Sequence, residues 1–104
     1  MPTAYQLVFQ LRGSTQLVFE EMIGIEKELT SAVGDLGRVD GHDMWAGEMN
    51  IFVETTSPIL LFDSVRLLPS VARAMPRLKV AFRPVDGEDY EVLHPPGLYR
   101  FTVA

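Results

Sequence analysis

Hydrophobic residues along this chain switch repeatedly between the period of a strand and the period of a helix. Residues 15–33 and 57–75 carry apolar side chains every three or four positions, as an amphipathic helix does. Alternating apolar and polar positions, the period of a strand, occur at residues 4–11, 37–42, 50–54 and 78–83. The resulting order, strand–helix–strand–strand–helix–strand, predicts an α+β, ferredoxin-like βαββαβ two-layer sandwich with two helices on one face of an antiparallel sheet.

Capping residues indicate where the helices begin and end. Ser14 or Thr15 precedes the first helical repeat and can accept a hydrogen bond from its first turn, and Gly34 is a typical C-terminal stop. Ser57-Pro58 combines a capping side chain with proline at the first helical position. The first helix also carries charged residues on its predicted outer face, which indicates a solvated surface. These residues are Glu20, Glu21, Lys27 and Glu28.

Pro69 lies inside the second helical repeat. It removes one backbone hydrogen bond and clashes with the preceding turn. The apolar positions Leu61, Val65, Leu68 and Ala72 nevertheless stay in phase across it. This pattern predicts one kinked helix.

The segment between the helices predicts a hairpin. Residues 50–54 form its stronger strand, and residues 37–42 a weaker one that Gly37 and Gly41 interrupt. Residues 43–47 are then the connection, which is longer than a two-residue turn.

The C-terminal region gives weaker signals. Residues 90–93 are a candidate short strand, and His94-Pro95-Pro96-Gly97 predicts a rigid corner in which His94 is structural or exposed. Residues 98–103 alternate again, which is typical of an extra edge strand or of an arm that reaches a second subunit. Residues 1–104 are expected to form a single domain.

The sheet face away from the helices carries the candidate interface. In the usual strand order of this fold, 4-1-3-2, Val8 and Phe52 are neighbours on that face, and Arg38, Asp40 and His42 flank them. Three interpretations follow, namely an isolated exposed apolar residue, a ligand platform, or the favoured one, a homodimer interface. Trp45 in the hairpin connection is expected to contact the body of the protein or a partner.

His42 is the candidate catalytic residue, as a base paired with Asp40 or Glu48. A hairpin whose polar side chains satisfy its own backbone is the favoured alternative. Because the chain has no cysteine and its only other histidine is His94, no metal site is expected. No glycine-rich phosphate loop is evident either, and no cofactor is expected.

Composition narrows the possible partners. The chain has 104 residues and a net charge of −5, which argues against nucleic-acid binding. No secretory signal and no membrane-spanning run of apolar residues is evident, so a cytoplasmic protein without membrane contact is expected.

The motifs Val39-Asp40-Gly41-His42-Asp43 and Gly47-Glu48-Met49-Asn50-Ile51-Phe52 resemble a hairpin of small uncharacterised bacterial proteins. That resemblance implies no established activity. The leading hypothesis is therefore a non-enzymatic interaction or small-ligand-binding module that forms a homodimer. Two alternatives remain open, a small enzyme that uses His42 and an acidic, antitoxin-like partner of a basic protein.

Overall fold

The computed structural model describes residues 3–103. Within them, the helices are α1 (Gln16–Ala32), α2 (Pro58–Val65) and α3 (Pro69–Ala74), and a 3-10 turn spans Gly34–Leu36. The strands are β1 (Tyr5–Arg12), β2 (Gly37–Trp45), β3 (Glu48–Thr55), β4 (Lys79–Pro84) and β5 (Glu91–His94).

The five strands form one antiparallel sheet in the order β2-β3-β1-β4-β5. This α+β architecture is compatible with a ferredoxin-like fold, although β5 adds a fifth strand beside β4. The short strand predicted at residues 90–93 is confirmed as β5.

The period of two in β1 places its apolar residues on the face that the helices cover. Leu7, Phe9 and Leu11 are buried there, in the same hydrophobic cluster as Met22 and Ile25 of α1. Residues of α2 and α3 belong to this cluster as well, so all three helices lie on one side of the sheet. We call this side the helix face and the opposite side the open face.

The prediction of one kinked helix around Pro69 is wrong. Leu68 has extended backbone angles, φ −61° and ψ 143°, and it separates α2 from α3. A residue before proline is disfavoured in the helical region, so Leu68 is extended and the helix that ended at Val65 does not continue into the new one that begins at Pro69. The apolar repeat stays in phase because both helices pack on the same core.

The hairpin connection is also shorter than predicted. β2 runs on to Trp45, and only Ala46 and Gly47 join it to β3. Both turn residues have positive φ, 54° and 76°, as a two-residue type I′ turn requires. Gly13 donates a backbone hydrogen bond of 2.8 Å to Gly47 and thereby fixes the turn against the end of β1.

A bulge in β2 corrects the predicted position of His42. Val39 pairs with Val53 and His42 pairs with Ile51, so two residues of β2 lie opposite Phe52 alone. Gly41, with φ +106°, supplies the backbone angle that the bulge needs. His42 consequently lies on the helix face, and not on the open face as the alternation predicts.

Two glutamates of α1, Glu21 and Glu28, bind residues outside the helix, although the sequence predicted a solvated outer face for them. Glu28 accepts hydrogen bonds from the backbone N–H and the hydroxyl of Ser70, at 2.8 and 2.7 Å, and so caps the first turn of α3. Glu21 forms a bidentate pair with Arg77. Of the two predicted caps of α1, Thr15 performs the role.

Candidate functional site

The chain's own C-terminal segment covers the centre of the open face. Residues 98–103 do not form a strand; they run over β1 and β4, and we call them the C-terminal cover. Phe101 is buried against Val8 and Ala81, which are themselves completely buried. Its ring meets that of Tyr90 edge-on, with centroids 4.9 Å apart. A segment without regular secondary structure thus provides a third layer.

A chain of side-chain amides fixes this cover to the sheet. Gln10 Nε2 donates to Asn50 Oδ1 at 2.9 Å and to the Thr102 carbonyl at 3.0 Å. Asn50 Nδ2 in turn donates to Asp43 Oδ1 at 3.0 Å. Asn50 is fully buried and Gln10 is 4% exposed, so these hydrogen bonds lie in a low-dielectric environment. The network extends over β2, β3, β1 and the cover.

Arg83 stabilises the loop that leads into β5 by hydrogen bonding to its backbone. Its guanidinium donates to three backbone carbonyls of residues 84–87, at 2.9 to 3.0 Å. It also lies over the ring of Tyr90, whose hydroxyl donates to Gln6 at 3.3 Å. This arginine therefore has a structural role on the open face.

The tip of the β2–β3 hairpin leaves large apolar side chains in solvent. Trp45 is 67% exposed on the open-face side, and Met44, on the helix-face side, is 52% exposed. We call these two residues the hairpin tip. Phe52 is half-buried and packs against the cluster that Val8, Ala81 and Phe101 form. Of the three predicted interface residues, Val8 is buried inside the molecule, Phe52 is partly accessible and Trp45 is the most exposed.

The structure does not join His42 to Asp40 or Glu48. His42 Nδ1 lies 2.9 and 3.0 Å from the carboxylate oxygens of Glu26 on α1. Asp40 instead contacts Arg38 at 3.6 Å, and Glu48 lies on the open face. The pairing with Glu26 depends on the bulge, which the alternation pattern does not reveal.

The second histidine has a packing role. His94 Nε2 is 2.8 Å from the Met75 carbonyl, and its ring lies 6.3 Å from that of Phe62. No group of three or more histidine, aspartate or glutamate residues within residues 3–103 is arranged to hold a metal ion.

A small cavity of about 120 Å³ opens at the hairpin end of the open face, and we call it the hairpin-end cavity. The side chains that line it are Gln10, Arg12, Glu48, Arg77 and Lys79. Glu48 Oε1 is the only buried side-chain nitrogen or oxygen of the described residues without a hydrogen-bond partner. Strand alternation does place Arg12 and Lys79 on the open face, but the sequence does not show that the cavity exists.

Arg77 differs from the other cations of the cavity because Glu21 already binds it. Hydrogen bonds to the Glu21 carboxylate, reinforced by its negative charge, hold the pKa of the Arg77 guanidinium above its ordinary value. Arg77 therefore forms a wall of the cavity, whereas Arg12 and Lys79 have no ion-pair partner within 4.0 Å among residues 3–103.

Neither the scan against protein-family models nor the searches of curated proteins and of solved structures found a match to this chain. No helix in the described part of the chain is long and apolar enough to cross a lipid bilayer.

Proposed function

We propose that this protein is a non-enzymatic interaction module with a ferredoxin-like fold, and that it forms a homodimer through the hairpin tip and the adjoining edge of β2. The observation that carries this function is the exposure of Trp45, the one tryptophan of the chain, at the end of β2 beside a two-residue turn. Tryptophan is enriched among the residues that dominate binding energy at interfaces.

The rigidity of the hairpin tip supports binding. Trp45 pairs with Glu48 in the β2–β3 ladder, and the hydrogen bond that Gly13 donates to Gly47 holds the type I′ turn that follows it. An anchor that is already ordered loses less conformational entropy on association than one on a flexible loop. The exposed indole is thus presented in a form that suits an interface.

A second copy of the chain is the partner that fits this edge. β2 is the outermost strand of the sheet, and one side of its backbone has no strand partner. The bulge at Asp40-Gly41 disrupts the first half of that edge and leaves residues 42–45 regular. Two such edges related by a twofold axis extend the sheet and bring both Trp45 side chains into the contact.

The free energy gained by burying the hairpin tip, compared with the cost of association, favours a weak dimer. Burial of one large apolar side chain contributes about 1.5–3 kcal/mol. Association costs roughly 4–15 kcal/mol in lost translational and rotational freedom. Two Trp45 and two Met44 side chains, with edge-strand hydrogen bonds, exceed the lower part of that range. We therefore expect dissociation in the micromolar range.

Light scattering coupled to size exclusion tests the dimer at several protein concentrations. We expect wild-type protein to approach twice the monomer mass at the highest concentration, and Trp45→Ser to remain monomeric with an unchanged circular dichroism spectrum. Leu67→Ser is the matched control, because Leu67 is 83% exposed in the α2–α3 connection, away from β2. Wild-type protein that stays monomeric throughout, or a Trp45→Ser variant that still dimerises, contradicts the proposed function.

A further inference from the structure

We propose that the hairpin-end cavity binds a small zwitterion, namely a free α-amino acid with a small side chain. Arg12 and Lys79 would hold its carboxylate, and Glu48 would hold its ammonium group. This site is separate from the dimer contact, because neither Trp45 nor Met44 lines the cavity.

The unpaired oxygen of Glu48 is the first observation. A buried polar atom without a hydrogen bond costs free energy, and the cost is larger for a charged group. Arg12 lies directly opposite Glu48 in the β1–β3 register, yet the two side chains are not within ion-pair distance. Within residues 3–103 the Glu48 carboxylate and the facing Arg12 guanidinium therefore remain unpaired with each other, so each can bind a group of a ligand.

The charges around the cavity select the class of ligand. A simple anion attracted to Arg12 and Lys79 is repelled by Glu48, and a simple cation attracted to Glu48 is repelled by the two basic groups. A molecule with both charges satisfies all three groups at once. Gln10 contributes an uncharged polar group to the wall of the cavity. Its amide nitrogen already donates hydrogen bonds to Asn50 and Thr102.

The volume sets the size of the ligand. A space of about 120 Å³ is several times the ~10–15 Å³ that one water molecule needs in a cavity, so it admits a ligand of a few non-hydrogen atoms. Glycine, alanine and serine are of this order of size, whereas aromatic amino acids are far larger. The cavity opens at the surface beside Arg12, which is exposed, and none of residues 98–103 lines it.

Titration of isotope-labelled protein followed by NMR tests this site with glycine, alanine and serine as probes. We expect saturable shifts of the Gln10 side-chain amide and of the Lys79 backbone amide, with a Kd below about 1 mM for at least one probe. Acetate and methylammonium, which each carry one of the two charges, should bind at least about tenfold more weakly. Equal binding of acetate, or no saturable shift with any amino acid up to about 10 mM, overturns the proposal.

Two variants connect binding to these residues. Glu48→Gln keeps the shape of the side chain but removes its charge, and Lys79→Met removes one cation; each should weaken binding at least about tenfold. Glu88→Gln, outside the cavity, should bind as the wild type does. If Glu48→Gln does not fold, the affinity of Lys79→Met for the probes decides the test. A folded variant of either kind that binds the probes with wild-type affinity contradicts the site. Trp45→Ser should retain binding, so a failure of the dimer and a failure of this site are distinguishable.

Discussion

The two faces of the sheet are covered by different kinds of structure. Regular helices cover the helix face, and their apolar residues form one continuous core with β1, β3 and β4. An irregular segment covers the open face, where Phe101 packs on Val8 and Ala81 beside a network of buried amides. The helix face therefore provides most of the buried apolar area, whereas the open face depends on a few specific contacts.

This difference has consequences for stability. A residue in the helix-face core cannot be exposed without disrupting several elements at once. We expect the C-terminal cover, in contrast, to detach while the sheet and helices stay folded, because Phe101 is the only residue of 98–103 that is buried. Local opening of this kind would limit the free energy that any of its contacts contributes. Substitutions on the two faces should therefore differ in size and in character.

The largest effect is expected for Phe9→Ala on the helix face. Phe9, on β1, is buried between the sheet and α2, with its ring 6.1 Å from that of Phe62. Removing such a side chain should lower the free energy of unfolding by about 3–5 kcal/mol, because it leaves a cavity in a rigid core. Urea unfolding followed by circular dichroism measures this loss. A loss below about 1 kcal/mol would show that the helix face does not carry the core.

A smaller effect is expected for Phe101→Ala in the C-terminal cover. The free energy of unfolding should fall by about 2–3 kcal/mol, because detachment of the cover limits the loss. Tyr99→Ala is the matched control; Tyr99 belongs to the same segment but is exposed, so its loss should be within about 0.5 kcal/mol. Equal losses for the two variants in urea unfolding would mean that the cover does not pack on the open face.

The amide network should contribute less again. Asn50→Ala leaves Gln10 Nε2 and Asp43 Oδ1 without this partner, which should cost about 1–2 kcal/mol. The double variant Gln10→Met with Asn50→Leu replaces the two amides by apolar groups and should cost less than the sum of the two single changes. Thermal and urea unfolding of all variants measure this coupling. Strict additivity would argue that the two amides do not interact.

The smallest effect concerns the cap of α3. Glu28→Ala removes the hydrogen bonds that the Ser70 backbone N–H and hydroxyl donate to this carboxylate, and it should lower the free energy of unfolding by about 1 kcal/mol. Glu20→Ala on the same helix is the control, with an expected change within about 0.5 kcal/mol. Urea unfolding of both variants distinguishes a capping carboxylate from a solvated one. Equal changes in the free energy of unfolding would mean that Glu28 is a solvated surface residue, as the sequence predicts.

Periodic signals in the sequence predicted the helix face well. The alternation of β1 and the repeat of α1 are local properties of the chain, so they are visible without the structure. Two local exceptions were missed. One glycine at position 41 moved His42 to the other face, and one proline at position 69 divided a helix whose apolar repeat gave no sign of a break.

The open face was less predictable because its contacts join distant parts of the chain. Gln10 and Thr102 are 92 positions apart, and nothing periodic connects them. The alternation of residues 98–103 suggested a strand, yet Phe101 is buried by packing across the sheet and not by pairing at its edge. The hairpin-end cavity likewise depends on three strands meeting at one end. Candidate sites of this kind require the tertiary structure.

Hydrogen–deuterium exchange at low and high protein concentration tests most directly whether self-association uses the hairpin while the chain itself covers the open face. We predict that amides of residues 42–48 become more protected as the concentration rises, because dimerisation buries the β2 edge and Trp45. Protection within residues 98–103 should be the same at both concentrations, since Phe101 already packs on its own sheet. Protection that rises in residues 98–103 and stays constant in the hairpin would contradict this account and place the contact on the open face.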